Sequence, residues 1–144
     1  MDKSEVLGLI AKNPVFFLGT TEGDQPRVRG MLTYSADESG IVFHTGNMRD
    51  LYKQVVNNSK VELCFNDYKT STQVRISGIL EEIKDNTLKD EIANHPTRTF
   101  LKPWVDSMSK QEFYDSFVIY RLKGGLASVW SMAKNLEPKA YVQL

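Results

Sequence analysis

The sequence lacks most of the residues that announce a chemistry. It has one cysteine, Cys64, in 144 residues. That excludes an internal disulfide and a cysteine-built metal cluster, and no metal is expected. It has two histidines, His44 and His95, and neither has an acidic partner evident nearby. It has no excess of charge: 18 basic residues balance 18 acidic ones. A chain that grips nucleic acid through phosphates is usually basic overall. Nucleic acid is therefore not an expected partner, and any anion site must be local and small. No apolar run approaches the roughly 20 residues of a membrane span. The opening MDKSEVLGLIAKNP is charged and amphipathic, with no signal-peptide core. The expectation is a soluble, cytoplasmic protein. The GxSxG, HExxH, Walker and GxGxxG patterns are absent, so the common hydrolase, zinc-protease and nucleotide-loop classes find no support. Without repeats, low-complexity stretches or a linker, residues 1–144 read as one domain.

What is present is a hydrophobic share of 41%, enough for a core. Residues 3 to 12 read as a helix with Val6, Leu7, Leu9 and Ile10 on its apolar face, stopped by Asn13-Pro14. VFFLGTT, RVRGMLTY and IVFHT follow as strands with polar turns between them, suggesting an antiparallel meander. In the second strand Val28, Leu32 and Tyr34 share one face, and Arg27, Arg29 and Met31 the other. A helix is expected from about Met48 to Asn57, with Asn47 as N-cap, Asp50 as half of a capping box, and Leu51, Val55 and Tyr52 inward. KVELCFN and the long, alternating TQVRISGILEEI read as strands. Asp85 can cap a helix over 86–94, and residues 97 to 114 hold helical turns. SFVIYRL and GLASVWSM are expected to form a closing hairpin, with the tail running over the surface. The fold class is mainly β: a small antiparallel barrel of about six or seven strands, with two or three helices outside. A barrel this small is filled by side chains, so a ligand belongs on the outer wall or at a subunit boundary.

The informative stretch is HTGNMRDLYK, residues 44 to 53. Cations are least welcome at a helix N-terminus, where the macrodipole is already positive, yet Arg49 and Lys53 sit there. Arg27 and Arg29 share a strand face and can converge on the same point. Such a set makes a phosphate cradle. As residue types alone, it is equally a solvated basic face paired with Asp24 or Asp50. Gly30, in mid-strand, marks either a bulge or a smooth place for a flat ring. Gln73, Arg75 and Ser77 are either donors to such a ring or the wet face of a sheet. Trp130 belongs to the core, or it stacks on a ligand or a partner chain. A lone His44 and Cys64 read as structural residues.

Three segments together, FFLGTTEGDQPRVRGM, GIVFHTGNMRDLYKQVVNNSKVELCF and QVRISGILEEI, resemble the FMN-binding split-barrel superfamily. That superfamily holds the pyridoxamine 5'-phosphate oxidases and the nitroimidazole-reductase proteins. The resemblance covers about residues 14 to 83. It implies that the FMN phosphate is held by Arg27 or Arg29 together with Arg49 and Lys53. It implies polar contacts from Thr45 and Asn47, and a ring lying along Gly30 and Met31 and facing Gln73. It also implies a homodimer with two flavin sites at the interface, which Trp130 of the other subunit can reach. Position 49 is Arg where Lys is common, and Arg still suits phosphate.

The resemblance thus implies an FMN-dependent oxidoreductase with a small-molecule substrate. The chain ends in EPKAYVQL, without the basic, histidine-containing segment of the oxidases that act on pyridoxamine phosphate. True pyridoxamine phosphate oxidase activity is therefore not expected. The alternatives are a non-catalytic module holding a flavin, a deazaflavin or haem, and a cofactor-free barrel that binds a protein partner.

Overall fold

A computed structural model describes residues 1–144. The first helix, α1 (Lys3–Lys12), starts at a reciprocal cap: the Asp2 carboxylate accepts from the Glu5 N–H, and the Glu5 carboxylate accepts from the Asp2 N–H, both at 2.8 Å. It buries Val6, Leu7, Leu9 and Ile10 as expected. Strands β1 (Val15–Glu22) and β2 (Gln25–Leu32) form a tight hairpin turned at Gly23, whose φ of +61° suits glycine. Then come β3 (Ser35–Asp37), β4 (Gly40–Gly46), α2 (Asp50–Asn57), β5 (Lys60–Asp67) and β6 (Thr72–Glu82). A helical layer follows: α3 (Asn86–Ala93), a 3₁₀ turn at Pro96–Leu101, α4 (Lys102–Asp106) and α5 (Lys110–Ser116). The chain closes with β7 (Phe117–Leu122), β8 (Leu126–Ser131) and β9 (Ala140–Gln143). No helix is long and apolar enough to cross a membrane.

All strand pairs are antiparallel, in the order β2-β1-β5-β6-β7-β4-β3, with β8 on β6 and β9 outside β8. The fold is a split barrel, mainly β, and β6 is its seam. One edge of β6 carries β5; the other carries β8 up to Ser77 and β7 from Leu80. Two glycines permit the switch. A Cβ on Gly78 would lie 3.0 Å from Leu122 Cδ1, and one on Gly125 would lie 2.6 Å from Leu122 Cδ2.

Three expectations are corrected here. The strands number nine, because β3 and the surface tail's β9 also pair. The closing hairpin does not form: β7 and β8 lie on successive parts of β6 and not on each other. The meander breaks after β2, since β4 pairs with β3 and β7. Strands β4 and β7 are apolar on both faces and almost continuously buried, so they need the barrel interior on one side and helices on the other. Strand β2 is largely exposed and contains Pro26, which suits an edge. Crossing between the sheets takes two residues: Thr33 N–H still bonds the Pro14 carbonyl, while Tyr34 N–H bonds that of Val42.

The barrel interior is solid. Phe16 stacks on Phe65 at 4.9 Å and meets Phe43 edge-on at 5.2 Å, among Leu18, Leu63 and Ile76. A second core of Val42, Ile92, Leu101, Phe113, Phe117 and Ile119 lies under the helical layer.

Strand alternation leaves one further face. Because Phe16, Leu18, Leu63, Phe65, Val74 and Ile76 point inward, Val15, Phe17, Cys64, Gln73 and Arg75 point outward. The register sets Gly30, Phe17, Cys64, Arg75 and Ser128 in one row across five strands. Asn66, Gln73 and Trp130 form the row beside it. Val15, Phe17 and Val28 are exposed on this face at 62%, 45% and 71%. Burial pushes the Cys64 thiol above its usual range, which suits a packing residue.

Candidate functional site

The β1–β2 register places Arg29 opposite Leu18 and Arg27 opposite Thr20. Both Leu18 and Thr20 are buried and inward, so the two arginines extend the inner face at the barrel's mouth. Helix α2 closes that mouth with Leu51, Gln54 and Val55 on its buried stripe. The polar member, Gln54, organises the region. Its carbonyl accepts from Arg29 Nη2 and, at 2.6 Å, from the Thr20 hydroxyl. Arg29 Nη1 donates to Thr20 Oγ1 at 2.6 Å and to the Leu18 carbonyl at 3.2 Å. The Gln54 amide donates to Glu22 Oε2 at 3.2 Å, and Glu22 Oε1 pairs with Arg27 Nη2 at 3.0 Å.

The electrostatics follow from these contacts. Burial pulls the Arg29 guanidinium below its ordinary pKa, and the charge of Asp50 opposes this. Hydrogen bonds from Arg27 and then Gln54 hold the Glu22 carboxyl below its usual range. Arg29 makes only hydrogen bonds to neutral acceptors, and Arg49 has no ion pair.

Beside this network lies a cavity of about 710 Å³. Strand β2 contributes Arg27, Arg29, Gly30 and Met31 to its wall; Thr45 stands at the end of β4, and Arg49 and Asp50 at the start of α2. Helix α2 begins at Asp50 and not near Met48, with Arg49 as its N-cap and no side chain capping it. The expected cap, Asn47, is engaged elsewhere: its amide donates to the Asp115 carbonyl at 3.1 Å and its N–H to that of Ser116 at 2.9 Å. Tyr52 N–H bonds the Arg49 carbonyl at 3.1 Å, so the N–H groups of Asp50 and Leu51 are left to solvent or a ligand, beside an unpaired guanidinium. Gly30 sits in unbroken register with Phe17, so it is no bulge, and a Cβ there would meet nothing within 4 Å.

Six of the ten expected residues therefore come together: Arg27, Arg29, Gly30, Met31, Thr45 and Arg49. Four do not border the cavity. Asn47 faces α5, and Lys53 is exposed on α2. Gln73 donates to Asn66 Oδ1 at 3.0 Å, and Trp130, its cross-strand partner, donates to Asn135 Oδ1 at 2.8 Å beside a separate cavity of about 220 Å³. Sequence reasoning missed Glu22, Thr20 and Gln54. Gln54 left a signal, since a glutamine three residues after Leu51 is a polar residue on an apolar stripe.

A buried guanidinium was also missed. Arg98, 2% exposed, donates from Nε to His44 Nε2 at 2.9 Å and from Nη2 to the Thr33 carbonyl at 2.7 Å. It lies over the rings of Tyr34 and Phe100, at 5.4 and 5.8 Å. Burial, aided by the charge of Arg98, lowers the His44 pKa to about 4. His44 is a neutral acceptor that braces β4, as expected of a structural histidine.

Comparison with known proteins gives the family and the fold. Residues 3–118 match the family model of pyridoxamine 5'-phosphate oxidase, and the chain belongs to that family. It is 29% identical over 94 residues to the pyridoxine/pyridoxamine 5'-phosphate oxidase of Brucella anthropi, covering 65% of this chain and 46% of that protein. The chain thus spans about half the length of the curated relatives it matches. Among solved structures, a NimC/NimA family protein from Clostridium acetobutylicum superposes with a TM-score of 0.76 at 22% identity, covering 98% of this chain and 92% of that one. A pyridoxamine 5'-phosphate oxidase-related, FMN-binding protein from Nostoc punctiforme gives 0.69 at 16% identity, covering 96% and 87%.

Proposed function

We propose that this protein binds FMN in the β2–α2 cavity and serves as a flavin-dependent oxidoreductase on a small molecule. The observation that carries the reading is the convergence of Arg27, Arg29 and Arg49 on one cavity beside an uncapped helix start. Membership of the oxidase family and the FMN-binding neighbour support a flavin. The residues fit the group. The cavity volume lies in the range of small-molecule sites, roughly 300–1,000 Å³. Guanidinium groups, the Thr45 hydroxyl and free helix N–H groups suit a phosphate, and the open strip at Gly30 and Met31 suits a flat ring.

When bound, the flavin supplies the electron-transfer chemistry. The chain's own part is anchoring and orientation. Arg49 and the start of α2 take the phosphate, with Arg27 and Arg29 completing the charge and Lys53, one turn on, adding to it from solvent. Asn47 holds the loop before α2 against α5 and so supports Thr45 and Arg49. In a homodimer formed through the outward face of the sheet, Gln73 and Trp130 would approach the partner's flavin. The exposed Val15, Phe17 and Val28 support such a pairing.

A binding role without turnover draws on one observation: no histidine, cysteine, lysine or tyrosine borders the cavity. Reoxidation of the reduced, flavin-loaded protein by a panel of acceptors separates the two roles. The first test is the visible spectrum of the purified protein before and after adding FMN, with the released ligand weighed. Flavin bands and an FMN mass are expected. A protein that neither carries nor takes up flavin would overturn the proposal.

A further inference from the structure

The cavity wall carries its own anion. Glu22 closes the β1–β2 hairpin, and its carboxylate bridges Arg27 Nη2 at 3.0 Å and Gln54 Nε2 at 3.2 Å. Both partners border the cavity. Three guanidinium groups and two carboxylates, Glu22 and Asp50, line it, leaving one net positive charge. Such a balance is modest for a site proposed to hold a phosphate dianion. Arg29 cannot turn outward easily, since Thr20, Leu18 and Gln54 occupy its donors. Arg27 can, because its one ion pair is to Glu22.

We infer that Glu22 is an internal stand-in for the ligand's phosphate, holding Arg27 until a phosphate ester takes its place. The inference rests on the reading of the cavity as a phosphate site. The pair is easy to open: both side chains are about half exposed, at 49% and 55%, and exposed ion pairs are weak. Release needs only side-chain rotation of Glu22, since the hairpin backbone keeps its register through the Glu22–Gln25 pair. In the closed state the cavity's end is charge-neutralised and the Gln54 amide is satisfied. In the open state Arg27 and the Gln54 N–H both become available to an anion. Glu22 therefore sets how strongly the site prefers a phosphorylated flavin to an unphosphorylated one. It does so by competition and not by contact with the ring.

The test is a set of fluorescence-quenching titrations of the full chain with FMN and with riboflavin, on wild type, Glu22→Gln, Arg27→Ala and the double variant. Glu22→Gln keeps the shape and removes the competing charge. FMN binding is expected to tighten about two- to fivefold, the size of an exposed ion pair, while riboflavin binding stays unchanged. In the Arg27→Ala background the Glu22→Gln change is expected to have no effect on FMN. Weaker or unaltered FMN binding in Glu22→Gln would overturn the inference, because Glu22 would then be orienting Arg27 or doing nothing. An equal change for both flavins would overturn it too. A wild-type chain that binds riboflavin and FMN alike would remove the phosphate site itself, and one that binds neither would remove the flavin reading; the inference falls with either.

Discussion

Arg98 donates its Nε–H to Nε2 of His44, and its Nη2 reaches the carbonyl of Thr33 at the end of β2. One buried guanidinium thus joins the residue that follows β2, the strand of Arg27 and Arg29, to β4, the strand of His44 and Thr45. Those strands are not hydrogen-bonded to each other. The contact braces β4 against the crossover that follows β2.

That relationship predicts an acid-sensitive fold. The folded His44 titrates near 4, against an ordinary value of 6.5. Below pH 6.5 the unfolded chain gains a proton that the folded chain does not, so stability falls as pH drops and levels off near pH 4. The loss from this group amounts to about 3 kcal/mol at most. Urea denaturation of wild type and His44→Gln at pH 7 and pH 4.5 checks it: the variant should lose less between the two.

Arg49 and Arg29 should separate ligand binding from folding. Arg49 is exposed and makes no ion pair, so Arg49→Ala should leave the melting temperature within about a degree and weaken FMN at least tenfold, in line with about 1.5–3 kcal/mol for a charged hydrogen bond. Arg29→Ala removes one of the two donors to the buried Gln54 carbonyl, leaving the Thr20 hydroxyl, and should also cost about 0.5–1.5 kcal/mol of stability. Thermal melts beside flavin titrations distinguish the two.

Gly125→Ala tests the seam. Its Cβ would come within 2.7 Å of Ile76 Cγ2 and 3.0 Å of the Ser77 carbonyl, besides Leu122. The backbone oxygen cannot yield as a side-chain end can. A loss of about 1–3 kcal/mol is expected for such overpacking, read from denaturant midpoints at unchanged slope.

Phe17→Glu tests the outward face. The side chain is partly exposed in the middle of the sheet, so the folded chain should tolerate it. Light scattering should show a dimer for wild type and a monomer for the variant, with flavin lost alongside. A variant that stays dimeric would move the interface elsewhere.

Much of the site was legible because it is local. Arg27 and Arg29 alternate on one strand, and Arg49 follows a strand end directly, so spacing alone aims them. The helix cap was misread because Asn47 suits capping chemically, but α5 claims it first. Spacing put Gln54 on the apolar stripe of α2, but it could not show the contact of Gln54 with Glu22 across 32 residues. Arg98 is further still, 54 residues from His44; nothing in NHPTRTF shows that this arginine is buried without a carboxylate.

The sequence by itself determined seven of the nine strands, the α1 stripe, the basic start of α2 and the small mixed charge that confines any anion site to one place. These depend on periods of two and 3.6 and on nearest neighbours. Tertiary structure alone decided which strands pair. β4 is apolar on both faces, so it lies between the barrel interior and the helices and leaves β2 at an edge. That separation opens the cavity between β2 and α2, and long-range packing, not local spacing, decides what lines it.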